Sequence, residues 1–226
     1  MNDIKIRCSA IGDIMTEPRS KSELLSKTAI KAGIEAYIIQ VHKKHPKDLI
    51  SDAIKKGLLV EEDAITVLSK LDKTIYAKNE ERFSNAFIMG TPDIVTATEV
   101  IDIKSSWDIF TFYASRFDKL DAGYEWQLRG YMDLTGRQRA RLSYILCDTP
   151  WQIVAQAQKR AWYDLGSPDE APEDTMAGIL IAENAKYDLP TEQRVHQFTI
   201  EHDPDAMERV YERVALIRQE LKHILN

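Results

Sequence analysis

The chain has 226 residues, 44% of them hydrophobic and 29% charged, which is enough apolar content to bury a sizeable core in one domain. Its two cysteines, Cys8 and Cys147, exclude a disulfide framework and a four-cysteine iron-sulfur cluster, and no apolar run approaches the roughly 18 residues of a membrane span. The net charge of −6 divides unevenly: residues 1–60 carry 11 Lys or Arg against 7 Asp or Glu (+4), whereas residues 161–226 carry 6 against 14 (−8), so a basic N-terminal part can meet an anionic partner while the acidic part faces away.

The start, MNDIKIR, has no apolar signal core, and the cytoplasm is the expected location. After residues 7–16, a helix beginning near Ser26 repeats Ile30, Ile34, Ile38 and Val41 at helical spacing and ends before Pro46. A second helix opens around Gly57, with an apolar stripe of Val60, Ala64, Val67, Leu68 and Leu71. On it Glu61 lines up with Ile65 and Leu68 and so borders the core, whereas Glu62 lines up with Thr66 and Ser69 and faces water. Strands are expected at about residues 82–89, 93–97 and 99–105, then helices near 107–117 and 124–134, and a strand at 139–147. The segment DLGSPDEAPED, residues 164–174, reads as an exposed loop, residues 197–200 add a strand, and a last helix follows Pro204. That helix carries Met207, Val210, Tyr211, Val214, Ile217, Leu221 and Ile224 on one stripe and is expected to pack on its own domain. The pattern is one of helices around a small mixed sheet.

Chemistry concentrates in GTPDIVTATEVIDIK, residues 90–104. Alternation along a strand puts Val100, Asp102 and Lys104 on one face and Ile101 and Ile103 on the other, so the Asp and Lys side chains are neighbours. Ionised groups beside a strand this apolar are costly unless each is paired or bound to a metal. Magnesium takes oxygen ligands, commonly one or two carboxylates with water and phosphate oxygens, and Asp93 and Asp102 could supply them. Lys104 could then steady the attacking water or the charge developing on a phosphate. An ordinary cross-strand Asp-Lys pair gives the same short pattern, so the surroundings decide. Downstream, Gln127 and Tyr131 stand four apart on one helical face with Leu134.

The order of a helix glutamate, PD, DxK and then QxxxY resembles the PD-(D/E)xK nuclease superfamily, in its RecB-like branch. SAIGDIMTEPR, LSKTA, GLLVEEDA, KNEERFSNAFIMGTPDI and IDIKSSWDIFTF are similar to the YqaJ-type phage recombination exonucleases, relatives of lambda exonuclease. The resemblance implies an α/β (α+β) fold with a restriction-endonuclease-like core, a central mixed β-sheet flanked by helices. It implies one exonuclease domain over residues 1–226, with the catalytic core at about 57–148, an N-terminal helical segment at 1–56 and a C-terminal extension at 149–226. By position, Asp93, Asp102 and the Ile103 carbonyl match the metal ligands, with Glu61 a further ligand directly or through water, Lys104 the catalytic lysine, and Gln127 and Tyr131 the QxxxY pair. Asp102 stands where many members have Glu, which shortens the reach by one methylene.

The resemblance further implies Mg2+ as cofactor, with Mn2+ as a substitute, and linear double-stranded DNA as substrate, cut from 5′ ends by a phage or prophage protein. A RecT-like single-strand annealing partner and a homotrimer belong to the same implication. An endonuclease or single-strand nuclease with this site, and a non-catalytic DNA-binding module, remain as alternatives, and the intact Asp93, Asp102 and Lys104 weigh against the last. Ser9, Ser105 and Ser106 could bond a phosphate, and Arg7, Arg19 and Arg82 could grip a 5′ phosphate, by analogy with lambda exonuclease. Trp107, Phe110, Phe112 and Tyr113 read as core rather than as a base-stacking surface. The HxxH of His42 and His45 reads as a solvated helix end.

Overall fold

A computed structural model describes residues 3–45 and 51–225. In chain order the elements are β1 (Ile6–Arg7), α1 (Ile11–Ile14), α2 (Lys27–Val41), α3 (Asp52–Leu59) and α4 (Glu61–Asp72). Next come β2 (Phe83–Ser84), β3 (Ile88–Gly90), β4 (Ile94–Val95), β5 (Glu99–Ser105), α5 (Ile109–Ser115) and α6 (Ala122–Thr135). The chain closes with β6 (Arg139–Ile145), α7 (Trp151–Asp164), α8 (Met176–Glu183), β7 (Val195–Glu201) and α9 (Pro204–Leu225). Side-chain caps fix several helix starts: Ser26 accepts from the Ala29 N–H, Ser51 from Ile54, and Asp121 from Gly123 and Tyr124. Gly136, at φ +70°, stops α6 in the left-handed conformation that glycine adopts without a Cβ clash.

The fold is mixed α/β, with two mixed sheets flanked by nine helices among the described residues. The larger sheet runs β4-β5-β6-β7, with β5 and β6 parallel at its centre and both outer pairs antiparallel. The smaller runs β1-β3-β2, and α6 packs against strands of both. Two layers sandwich β5. Val100 joins α6 through Leu128, Tyr131 and Met132, while Ile101 and Ile103 join α4 through Val60, Ala64, Ile65 and Leu68. The expected alternation of this strand is therefore met on both faces, and Asp102 looks toward α6.

Several boundaries differ from the sequence reading. The single strand expected at 82–89 is a hairpin, because the Asn85 side-chain Oδ1 accepts from the N–H groups of Phe87 and Ile88 and turns the chain. The helix expected to open at Gly57 is two helices, α3 and α4, meeting at Val60. The helices α7 and α8 occupy the C-terminal extension on either side of the expected loop. On α2 the buried residues are Ala29 and Gly33, not the isoleucine stripe; Ile38 and Val41 are exposed. The cause is close approach to α9: a Cβ on Gly33 would lie 2.4 Å from Ile217 Cγ2. Of the expected α9 stripe, Met207, Val210, Val214, Ile217 and Leu221 are buried in the chain's own core, and Ile224 is exposed. Of the aromatic run, Phe112 is core, whereas Trp107, Phe110 and Tyr113 reach the surface. Pro46 lies outside the described residues.

Candidate active site

The two carboxylates meet because β4 folds back antiparallel on β5, with Ile94 opposite Ile101. Asp93, just ahead of β4, then reaches across, and its Oδ2 accepts from the Ile103 N–H at 2.6 Å. Asp102 is fully buried beneath α6: its Oδ1 accepts from Gln127 Nε2 at 3.0 Å, and its Oδ2 faces Lys104 Nζ at 2.8 Å. Gln127 Nε2 also donates to the Tyr131 hydroxyl at 2.9 Å, which donates onward to the Thr91 carbonyl at 3.3 Å. The pair four apart on α6 thus anchors both Asp102 and the loop that carries Asp93. Gly90 is required at the end of β3, since a Cβ there would lie 2.6 Å from the Tyr131 ring and 2.8 Å from Cys8 Sγ.

Burial, then the negative charge of Asp102, pushes the Asp93 carboxyl up to about 7, against the pull of the Ile103 N–H and Lys104. Burial likewise raises the pKa of Asp102, and Lys104 opposes it. Burial also presses on the Lys104 ammonium, but the charges of Asp102, paired with it at 2.8 Å, and of Asp93 outweigh it and hold Lys104 above its usual value. Lys104 Nζ stands 4.9 Å from the Tyr124 ring centroid, a cation–π contact, and Tyr144 meets Tyr124 edge-on.

A cavity of about 480 Å3 opens here, lined by Glu61, Asp93, Ile103, Lys104, Ser105 and Ser106 with residues of α3 and the two tyrosines. A second opening shares Lys104, Tyr124 and Tyr144 with it and adds Gln127 and Ser9. The structure thus brings Glu61, Asp93, Ile103 and Lys104 to one cavity and Gln127 to the adjoining one, with Asp102 and Tyr131 buried behind them through Lys104 and Gln127. Glu61 comes with a qualification of geometry: its Oε2 is paired with Lys78 Nζ at 2.7 Å, so it could bind a metal directly only by releasing Lys78. Among the described residues, no three Asp, Glu, His or Cys side chains converge as a metal cluster. The donor set is two carboxylates, and it suits an ion that keeps several waters: Asp102 Oδ2 is buried with no hydrogen bond of good geometry despite its lysine neighbour.

Sequence reasoning missed Tyr124, Tyr144, Lys78 and the whole of α3. Tyr124 lies three residues before Gln127 on the same helix, so helical spacing could have found it; nothing local marks the others. Arg7 and Arg19 line separate cavities near α1 and α2, and Arg82 is exposed.

With this geometry in view, solved structures can be compared. A phage-related exonuclease from Haemophilus somnus 129PT is similar over 99% of this chain and 96% of its own, with a TM-score of 0.76 and 25% identity. The fold is lambda-exonuclease-like. An alkaline exonuclease from Laribacter hongkongensis shares this lambda-exonuclease-like fold over 98% of this chain and 90% of its own, at TM-score 0.65 and 16% identity. A structure of the same exonuclease in complex with dAMP aligns at TM-score 0.64 and 17% identity. No family model and no curated protein matches the chain. The structural neighbours are exonucleases, which supports a nuclease.

Proposed function

We propose that this protein is a metal-dependent DNA exonuclease that digests linear double-stranded DNA from 5′ ends to leave single strands for recombination. The observation that carries the reading is that Asp93 and Lys104 line one cavity while Asp102, buried behind it, holds its Oδ2 2.8 Å from Lys104 Nζ, inside an exonuclease fold. Asp93 and Asp102 would hold Mg2+, or Mn2+ in its place, with the Ile103 carbonyl and Glu61 as further ligands. The bound ion would supply Lewis-acid stabilisation of the phosphate and a more acidic water. Lys104 would donate to that water or to the scissile phosphate as charge develops, through an ammonium that its neighbours keep charged. Gln127 would fix the Asp102 carboxylate so that Oδ2 faces Lys104, and Tyr131 would fix Gln127. Ser105 and Ser106 could bond the phosphate from the cavity wall.

A RecT-like annealing protein, a homotrimer around the DNA and a cytoplasmic location complete the proposal. Consistent with it, no helix among the described residues is long and apolar enough to cross a membrane. The test is digestion of end-labelled linear duplex beside closed circular DNA, with magnesium or chelator, using wild type and Lys104→Ala. Magnesium-dependent loss from 5′ ends, with circles intact and the variant inactive, is expected. Cleaved circles would replace this reading by an endonuclease, and a wild type inert on every DNA would leave a DNA-binding module.

A further inference from the structure

The only fully buried side chain of α3 is a lysine, Lys56. The rest of this helix is loosely covered: Ile54, Leu58 and Leu59 are exposed, and Asp52 pairs at the surface with Lys55 and with Arg160 of α7. Lys56 Nζ donates to the Trp107 carbonyl at 2.7 Å, three residues beyond Lys104 at the end of β5. Its surroundings are the ring of Tyr187, 5.7 Å from Nζ, the Cys147 thiol, and the carboxylates of Asp108 and Asp148. Among the described residues its hydrogen-bond partner is the Trp107 carbonyl, not a carboxylate. A leucine could fill this space with less cost, because a buried ammonium loses its hydration and here regains one hydrogen bond. What the amine adds is direction: it fixes α3 at one register against the backbone that follows Lys104.

That register matters to the cavity. Ala53, Ile54, Gly57 and Leu58 of α3 form one wall of it, and α3 runs through Val60 into Glu61. We propose that Lys56 is a positioning residue: through the Trp107 carbonyl it sets where α3 stands against the end of β5, and so the opening by which DNA reaches Lys104. The part concerning DNA rests on the nuclease reading; the placement of α3 does not.

Two measurements test it. In steady-state digestion of linear duplex, Lys56→Met, which keeps the stem and removes the amine, should raise KM about tenfold while kcat stays within about twofold, the pattern of lost binding rather than lost chemistry. An unchanged KM, or kcat and KM worsening together with a lower Tm, would overturn it. Independently of activity, spin labels on Leu59→Cys, in α3, and Phe117→Cys, beyond α5, report the spacing, since the native Cys8 and Cys147 are buried. One narrow distance distribution is expected with Lys56 and a broadened one in Lys56→Met; identical distributions refute the positioning role. Should wild type digest no DNA while the distribution still broadens, the nuclease reading fails and the placement of α3 stands. If Lys56→Met and Lys56→Leu both lose cooperative unfolding, Lys56 supports the whole fold and the proposal falls.

Discussion

Replacing Lys56 by methionine should change the stability of the protein by an amount that depends on pH, and the dependence can be worked out in advance. Burial pushes the Lys56 amine down from its usual 10.5 to about 8, against Cys147, Asp108 and Asp148, which pull it up. Below pH 8 the amine is charged in folded and unfolded chains alike, and the folded state carries the full cost of burying that charge. Between 8 and 10.5 the unfolded chain binds a proton that the folded chain has released, so stability rises with pH; above 10.5 the cost is gone. The difference between 10.5 and about 8 corresponds to about 3 kcal/mol. Methionine has no such term. Relative to Lys56→Met, wild type should therefore gain about 3 kcal/mol on going from below pH 8 to 10.5, with other titrating groups cancelling in the comparison. Urea unfolding followed by circular dichroism at pH values bracketing that window gives the difference directly. A gap between the two proteins that stays constant across the window, or closes in the opposite sense, would refute the reasoning.

Gln127→Ala removes the bond to Asp102 Oδ1 and frees the Tyr131 hydroxyl, and should weaken magnesium binding by about 10- to 100-fold, read by calorimetric titration. Because the Asp93 carboxyl lies at about 7, magnesium affinity should fall as pH drops through 7 and protonates it. For the same reason ionised Asp93 lowers the stability of the metal-free protein progressively from 3.8 to about 7, so Asp93→Asn should raise the Tm above pH 7 while abolishing digestion. Gly33→Ala forces a Cβ to within 2.4 Å of Ile217 Cγ2 and should cost about 1–3 kcal/mol in urea unfolding, with activity per folded molecule unchanged.

Much of the site could be read from local pattern. Strand alternation put Asp102 and Lys104 together, and a four-residue helical step paired Gln127 with Tyr131; both regularities act over a few residues, and both hold in the structure. The parts that escaped depend on contacts far apart in sequence. Isoleucines on α2 suggest an apolar stripe, yet Ala29 and Gly33 face the core, and at Gly33 α9 comes close enough to exclude anything larger. Asn85 breaks an apolar strand by bonding its own backbone, a local event that the hydrophobic pattern does not record. A lysine at position 56 reads as solvent-facing by every compositional rule, and only the carbonyl of Trp107, 51 residues on, reverses that. The pairing of Glu61 with Lys78 is equally invisible in spacing.

The contact between α2 and α9 also ties the support of the site to two segments far apart in the chain. Residues of β1, α1 and α2 share one apolar cluster with Met207, Val210, Val214, Ile217 and Leu221, so these early elements wait for α9, made much later, to cover them. The same cluster backs Tyr131, which steadies the Asp102 anchor and the Asp93 loop. A nascent chain still tethered before Pro204 holds every acidic and basic group of the site but lacks the helix that seals their support. The support behind the Asp102 anchor is therefore complete only once α9 has packed against α1 and α2.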